Sequence, residues 1–132
     1  MELTTPYAFG KTVALSYAEV QKKVREELQK EGFGVLTEID VKEKFRERLG
    51  RDFRDYIILG ACNPSLAWEA FGKELDIGTL LPCNVCVYTG NDGQTIVMVM
   101  DPVAALSVIG NPALTELART VRGKMERVLA AL

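Results

Sequence analysis

Three Asn-Pro or Asp-Pro dipeptides set the helix starts in the second half of this chain. They are Asn63-Pro64, Asp101-Pro102 and Asn111-Pro112. Asn and Asp side chains cap helix N-termini, and Pro suits the first helical position because the N–H that it lacks has no partner there. The dipeptides therefore predict helices over 64–75, 102–109 and 112–132.

Two capping boxes predict the helices of the first half. Ser16 with Glu19, and Asp40 with Glu43, each place a side-chain acceptor three residues before a Glu, and the apolar spacing that follows is helical. Helices are expected over 17–30 and 41–49. The edges predicted to be buried are Tyr17, Val20, Val24 and Leu28 on the first helix and Val41, Phe45 and Leu49 on the second.

The segments between these helices have the patterns of strands. A weakly alternating segment covers 8–15, and 56–62 is a nearly continuous apolar run, typical of a central strand covered on both faces. A Gly/Asn/Asp cluster at 89–94 predicts an antiparallel hairpin between the last two strands. The expected fold is α+β, with two layers, an about five-stranded mixed sheet and helices packed on it. The further predicted strands are 33–39, 83–88 and 95–100, which gives the order β-α-β-α-β-α-β-β-α-α.

Size and charge restrict the classes of partner. With 132 residues, the chain is expected to form a single domain over 1–132. Its net charge of -2 disfavours nucleic acids and anionic membranes, and the basic residues of 42–54 alternate with acids, as on a solvated helix face. The sequence shows neither a secretory signal nor an apolar stretch of about 18 residues, so a cytoplasmic location is expected.

The absence of histidine and the presence of three cysteines restrict the chemistry. Histidine triads and His-containing zinc sites are excluded, and an odd number of cysteines favours reduced thiols. Cys83 and Cys86 form a Cys-x-x-Cys motif, but they lie in a predicted strand and should point to opposite faces. Cys86 is therefore expected to be a packing residue. Because the chain has no histidine, only Cys62 and carboxylates could complete a metal site around this motif. The sequence identifies no particular metal or cofactor.

Cys62 has the most suggestive position of the three thiols. It lies between the end of the apolar strand and the predicted cap Asn63, so the N-terminus of the next helix is expected to lower its pKa and favour a nucleophilic thiolate. The same N–H groups, with the Ser65 hydroxyl, could instead hold an anionic ligand. The remaining alternative is that Cys62 is a small buried apolar residue.

The sequence leaves it undecided whether two apolar features serve the core or an interface. Trp68 is either an interface anchor or a core residue. The last predicted helix carries a stripe that serves either the core or a partner helix, and the core is favoured. The stripe consists of Leu114, Leu117, Val121, Met125, Val128 and Leu132.

Three segments of the chain resemble a known family. They are the segments 60–64 (GACNP), 78–85 (GTLLPCNV) and 100–102 (MDP), and they resemble the pattern of the domain-of-unknown-function 302 family over essentially the whole chain. The resemblance implies a small single-domain α+β protein and a likeness to members that crystallise as homodimers, with no established activity. It also groups Cys62 with Cys83, each in one of the first two segments, and leaves Cys86 outside.

The resulting hypothesis is a non-enzymatic, dimeric cytoplasmic module that binds a small anionic ligand or a metal ion. Its candidate site residues are Cys62, Asn63, Ser65, Cys83, Asn84 and Asp101. One alternative is a thiol-dependent enzyme with Cys62 as nucleophile. The other is a structural or interaction protein in which the cysteines only pack.

Overall fold

One antiparallel sheet of six strands organises the fold. The computed structural model describes residues 2–132. Across the sheet the strands follow the order β1-β2-β6-β5-β4-β3, and every neighbouring pair is antiparallel. The strands are β1 (Glu2–Thr4), β2 (Ala8–Val13), β3 (Gly34–Asp40), β4 (Tyr56–Cys62), β5 (Cys83–Thr89) and β6 (Thr95–Met100).

Within the described residues, five α-helices connect and cover the strands, and their caps follow the sequence signals. Ser16, Asp40, Asn63 and Asp101 each accept a backbone hydrogen bond in the first turn of the helix that they precede. None of the helices in residues 2–132 is both long and apolar enough to cross a membrane. The helices are α1 (Tyr17–Lys30), α2 (Val41–Leu49), α3 (Pro64–Lys73), α4 (Pro102–Ser107) and α5 (Thr115–Ala130), with 3-10 turns at Leu75–Leu80 and Pro112–Leu114.

The hydrophobic core lies on one face of the sheet, between the central strands and helices α1 and α5. Alternate residues of β5 and β6 point into it and are completely buried, and the stripes predicted on the first and last helices meet them there. This confirms that the last helix stripe serves the core. The completely buried strand residues are Leu59, Val85, Val87, Val97 and Val99.

The α+β class is confirmed, but the sheet differs from the predicted one in two respects. It has six strands because the three-residue β1, too short to show an alternating pattern, pairs with β2. The sheet is also antiparallel throughout and not mixed. The connections through α2 and α3 each bring the chain back into the sheet at the end from which it left, so the next strand runs in the opposite direction.

Strand β4 is covered on one face only, which corrects the prediction of a strand covered on both. Ile57, Leu59 and Ala61 are buried, whereas Tyr56 and Ile58 on the other face are half-buried. The other face is apolar without being covered by a helix, so a continuous apolar run does not identify a strand buried on both faces. The apolar run predicted the bounds of β4 correctly, but the prediction that both of its faces are covered was wrong.

Helix α2 has no buried edge, although one was predicted at Val41, Phe45 and Leu49. None of its side chains is buried in the described chain, and Leu49 is 61% exposed. The physical reason is that the helix lies at the edge of the sheet. The helix follows β3, the edge strand, and contacts chiefly β3 and β4. Its apolar edge therefore has no second layer against which to pack.

Candidate functional site

An apolar cavity of about 310 Å³ lies where β4 ends, β5 begins and α3 starts. Helix α5 and the segment after β6 form its inner wall, and the exposed side of β3 borders its mouth. Among residues 2–132, no charged side chain lines it. The lining includes Phe33, Leu36, Thr37, Ala61, Cys62, Asn63, Leu66, Ala67, Ala70, Phe71, Ile77, Leu81, Pro82, Cys83, Met100, Pro102, Leu106, Leu117 and Val121.

The pairing of β4 with β5 brings two cysteines to this cavity. Ala61 lies opposite Cys83 in the register, so Cys62 is one residue beyond the paired position. The peptide bond between Leu81 and Pro82 is cis, and Pro82 lies against Gly60, where a Cβ atom would be 2.7 Å from the proline Cγ. The absence of a side chain at Gly60 therefore leaves room for Pro82, which lines the cavity next to Cys83.

Asn63 joins the start of α3 to the end of α1. The Leu66 N–H donates to the Asn63 Oδ1 at 3.2 Å, and the Asn63 Nδ2 donates to the Glu31 carbonyl at 3.4 Å. Gly32, with a φ of 84°, allows the approach because a Cβ there would lie 2.9 Å from the Nδ2. One of the N–H groups expected to bind an anion is therefore already satisfied by Asn63.

The thiols that line the cavity are stabilised in their neutral form. Burial raises the pKa of Cys62. Burial, together with the nearby Cys62, raises the pKa of Cys83 to about 11. The prediction that the helix N-terminus lowers the pKa of Cys62 is therefore wrong, because burial disfavours the charged thiolate at this position.

Three of the predicted site residues lie outside the cavity. Ser65 is exposed on the first turn of α3, and Asn84 is exposed on the opposite face of the sheet from Cys83. Asp101 caps α4 by accepting hydrogen bonds from the backbone N–H groups of Val103 and Ala104, and its second oxygen pairs with Arg122. The structure thus brings together Cys62, Asn63 and Cys83 and separates the other three from them.

Cys86 lies away from both other thiols, as its position three residues after Cys83 predicts. It faces Ile58 and Met98 across the neighbouring strands, on the face that α1 and α5 do not cover. Burial raises its pKa, and the adjacent Tyr56 hydroxyl partly offsets that effect. The Cys-x-x-Cys motif therefore does not form a joint redox or metal site.

The cavity offers little for metal binding or acid–base chemistry. Among residues 2–132, no cluster of three or more Cys, Asp or Glu side chains could hold a metal ion. A nucleophilic thiol is activated by an adjacent base or by a lowered pKa. No carboxylate of the described residues lines this cavity, and the pKa values of both thiols are raised. What the arrangement provides is an apolar cavity whose polar side-chain atoms, among the described residues, come from Asn63, Thr37 and the two thiols.

Several cavity residues could not be predicted from their own sequence surroundings. Leu36 and Thr37 come from β3, Phe33 immediately precedes it, and Leu117 and Val121 come from α5. Only the tertiary fold shows that these residues share a wall with Cys62. Leu81 and Pro82 are the exception. They immediately precede Cys83 within the segment 78–85, and this proximity in sequence was the available signal.

Comparison with known proteins agrees with this architecture. The family model described as "Domain of unknown function DUF302" matches residues 9–132. A crystal structure of an uncharacterized conserved protein DUF302 from Bacillus stearothermophilus is 32% identical and superimposes with a TM-score of 0.88. The match covers 94% of this chain and 96% of that one. A search of curated proteins finds no match.

Proposed function

Because the chain belongs to the DUF302 family, whose description states no activity, we propose a function from the cavity itself: a non-enzymatic module that binds a small, uncharged, largely apolar molecule. The observation that carries this proposal is the volume of about 310 Å³ with an apolar lining. Ligand pockets begin near that volume and are typically apolar with a few polar groups that orient the ligand.

The chemistry of the lining supports a neutral ligand over an anion or a metal ion. An anion would be transferred from water to a site with no cationic side chain among the described residues, and such a transfer is unfavourable. One N–H group at the start of α3, that of Leu66, already donates its hydrogen bond to Asn63. The neutral thiols of Cys62 and Cys83 add weakly polar atoms that suit an apolar guest.

Toluene, titrated into the wild-type protein and followed by the methyl NMR signals of Leu66, Leu117 and Val121, tests the proposal. All three residues line the cavity, so their signals should shift together and saturate. Apolar cavities of comparable size bind such guests. Shifts that are absent, or that are strongest on methyl groups elsewhere, would contradict the proposed site.

Filling the cavity supplies the matched control. Ala70 is buried and Ala67 is half-buried in its wall, so Ala70→Leu and Ala67→Leu should each weaken toluene binding at least about 10-fold by occupying its space. Ala18→Leu makes the same change on an exposed turn of α1 and should leave the affinity unchanged. The half-buried position keeps the test valid if Ala70→Leu impairs folding.

The two alternatives of the sequence analysis receive less support. A thiol enzyme would need an activated Cys62, and burial raises the pKa of that thiol. A purely structural role needs no cavity, so the absence of guest binding would favour it.

The module is also proposed to be a homodimer, and an exposed aromatic side chain supports this. Trp68 is 82% exposed, and aromatic side chains are enriched at protein interfaces. Light scattering should therefore give twice the chain mass at micromolar concentration.

A further inference from the structure

The apolar cavity has a buried floor and an exposed rim. The rim consists of Leu36, Thr37 and Phe71, which line the cavity and are also exposed to solvent. A molecule that fills the cavity therefore contacts one region that is closed to water and another that is open to it. The floor includes lining residues that are at most 7% exposed, namely Ala70, Ile77, Leu106, Leu117 and Val121.

The polarity of the lining follows the same division. The floor residues named above are all aliphatic. Thr37 carries its hydroxyl on the exposed rim, and Asn63, which is half-buried, carries an amide. These two groups form stronger hydrogen bonds than the thiols of the lining do. The ligand that matches such a lining has an aliphatic part for the floor and one polar group for the rim.

The volume of the cavity indicates how long the aliphatic part is. An apolar cavity of about 150 Å³ binds benzene, which has six carbon atoms. The volume here is about 310 Å³, so the same density of filling gives roughly 12 carbon atoms. An unbranched chain of that size reaches the floor with one end and leaves its other end at the rim.

A β-bulge places Leu36 on the rim. Val35 pairs with Ala61 and Thr37 pairs with Gly60, so Leu36 is the extra residue of β3 and has no partner on β4. Bulges redirect a side chain and are frequent beside functional sites. Leu36 is 67% exposed although it lines the cavity. A chain that emerges from the cavity would cover this leucine and remove its apolar surface from water.

We infer that the ligand of this cavity is an unbranched aliphatic chain of about 10–12 carbon atoms that ends in an uncharged polar group, such as a primary alcohol. The inference rests on the proposed binding function and specifies the shape and polarity of the ligand. The tail lies on the floor, and the polar end lies at the rim beside the Thr37 hydroxyl. An ionised end group would find no opposite charge, since no charged side chain of the described residues lines the cavity.

Primary alcohols of increasing length, from hexanol to tetradecanol, test the inference by calorimetric titration of the wild-type protein below each alcohol's solubility limit. Each added methylene that enters the cavity should tighten binding about fourfold. The gain should stop at about 10–12 carbon atoms, when the cavity is full. An affinity that is independent of chain length, or that still rises fourfold per methylene up to tetradecanol, would overturn the inference.

Two rim variants test the orientation of the chain. Leu36→Ser should weaken dodecanol binding at least about fourfold, because the methylenes near the polar end lose their apolar contact. Thr37→Val keeps the shape of the side chain but removes the hydroxyl, and should weaken dodecanol binding about fivefold. Both variants should bind toluene as the wild type does, because toluene is small enough to be held by the floor.

Leu49→Ser supplies the matched control. Leu49 is 61% exposed on α2 and does not line the cavity, so this change should alter neither affinity. If toluene binds but both rim variants bind dodecanol as the wild type does, the inference fails and the cavity proposal stands. If neither toluene nor any alcohol binds the wild type, the proposed function and this inference are refuted together.

Discussion

At the level of single residues, three cysteines of one small protein have three different surroundings. Cys83 is buried beside the core, Cys62 lies at a strand end on the cavity wall, and Cys86 faces the outer side of the sheet. The period of two along a strand separates Cys83 from Cys86, although only two residues lie between them. Strand pairing instead places Cys83 beside Cys62, which is 21 positions away in the sequence.

Alkylation at graded pH should reveal this difference. Because burial and the nearby Cys62 raise the pKa of Cys83 to about 11, Cys83 should react last, and little below pH 10. Cys62 should react earlier, but with a midpoint above the ordinary thiol value of about 8.5, since burial also raises its pKa. Peptide mass spectrometry measures both. A Cys62 midpoint below that value would revive the thiol-enzyme hypothesis.

Single residues also show what the sequence could predict about the site. Cys62 ends β4 and Asn63 caps α3, as predicted, because a strand end followed by an Asn-Pro cap is a local signal. Asp101 has the same local signal, yet its carboxylate pairs with Arg122 and caps α4 outside the cavity. The difference depends on where α4 and α5 pack, and no local pattern contains that information.

At the level of elements, the capping residues predicted where helices start more accurately than the apolar patterns predicted which faces are buried. Asp40 starts α2 as predicted, but the Phe45 edge is exposed. Capping is a contact within one turn, so the sequence specifies it directly. Burial requires a neighbouring layer, and the position of β3 at the sheet edge is a property of the whole topology. The Asn111 cap shows a smaller deviation, since a 3-10 turn precedes α5.

The cap at Asn63 should be measurably important for stability. Asn63→Ala removes the hydrogen bond that caps α3 and the one that ties this cap to Glu31, so the free energy of unfolding should fall by about 1–2 kcal/mol. Ser65→Ala, two residues further along on an exposed position, should change it by less than about 0.5 kcal/mol. Urea denaturation of the two variants compares them, and equal losses would exclude a special role for the cap.

For the whole molecule, stability should be flat near neutrality and fall at alkaline pH. The chain has no histidine to titrate between pH 6 and 8. Burial raises the pKa of Tyr17 to about 12, with Asp40 and Asp55 contributing, and the pKa of Tyr56 shifts in the same direction. The folded state thus favours the protonated groups. Their contribution is complete below the unfolded-chain values, about 8.5 for thiols and 10 for tyrosines.

That contribution is lost as pH rises through the folded-state values. Urea midpoints at pH 6, 7 and 8 should coincide, and those at pH 10 and 11 should decline. Tyr17→Phe retains the ring and removes one titrating group, so its decline should be shallower than that of the wild type. A steep change between pH 6 and 8, or an identical decline in the variant, would contradict this account.

The strand order also determines when the protein can fold during its synthesis. Strand β2 pairs with β6, and Ala8 lies opposite Met100 in that pairing. The sheet therefore stays incomplete until most of the chain has left the ribosome. Pairings of such wide sequence separation form slowly, and apolar strands remain unpaired meanwhile. A nascent chain of this protein therefore keeps one edge of β2 unpaired until about three-quarters of its residues have been synthesised.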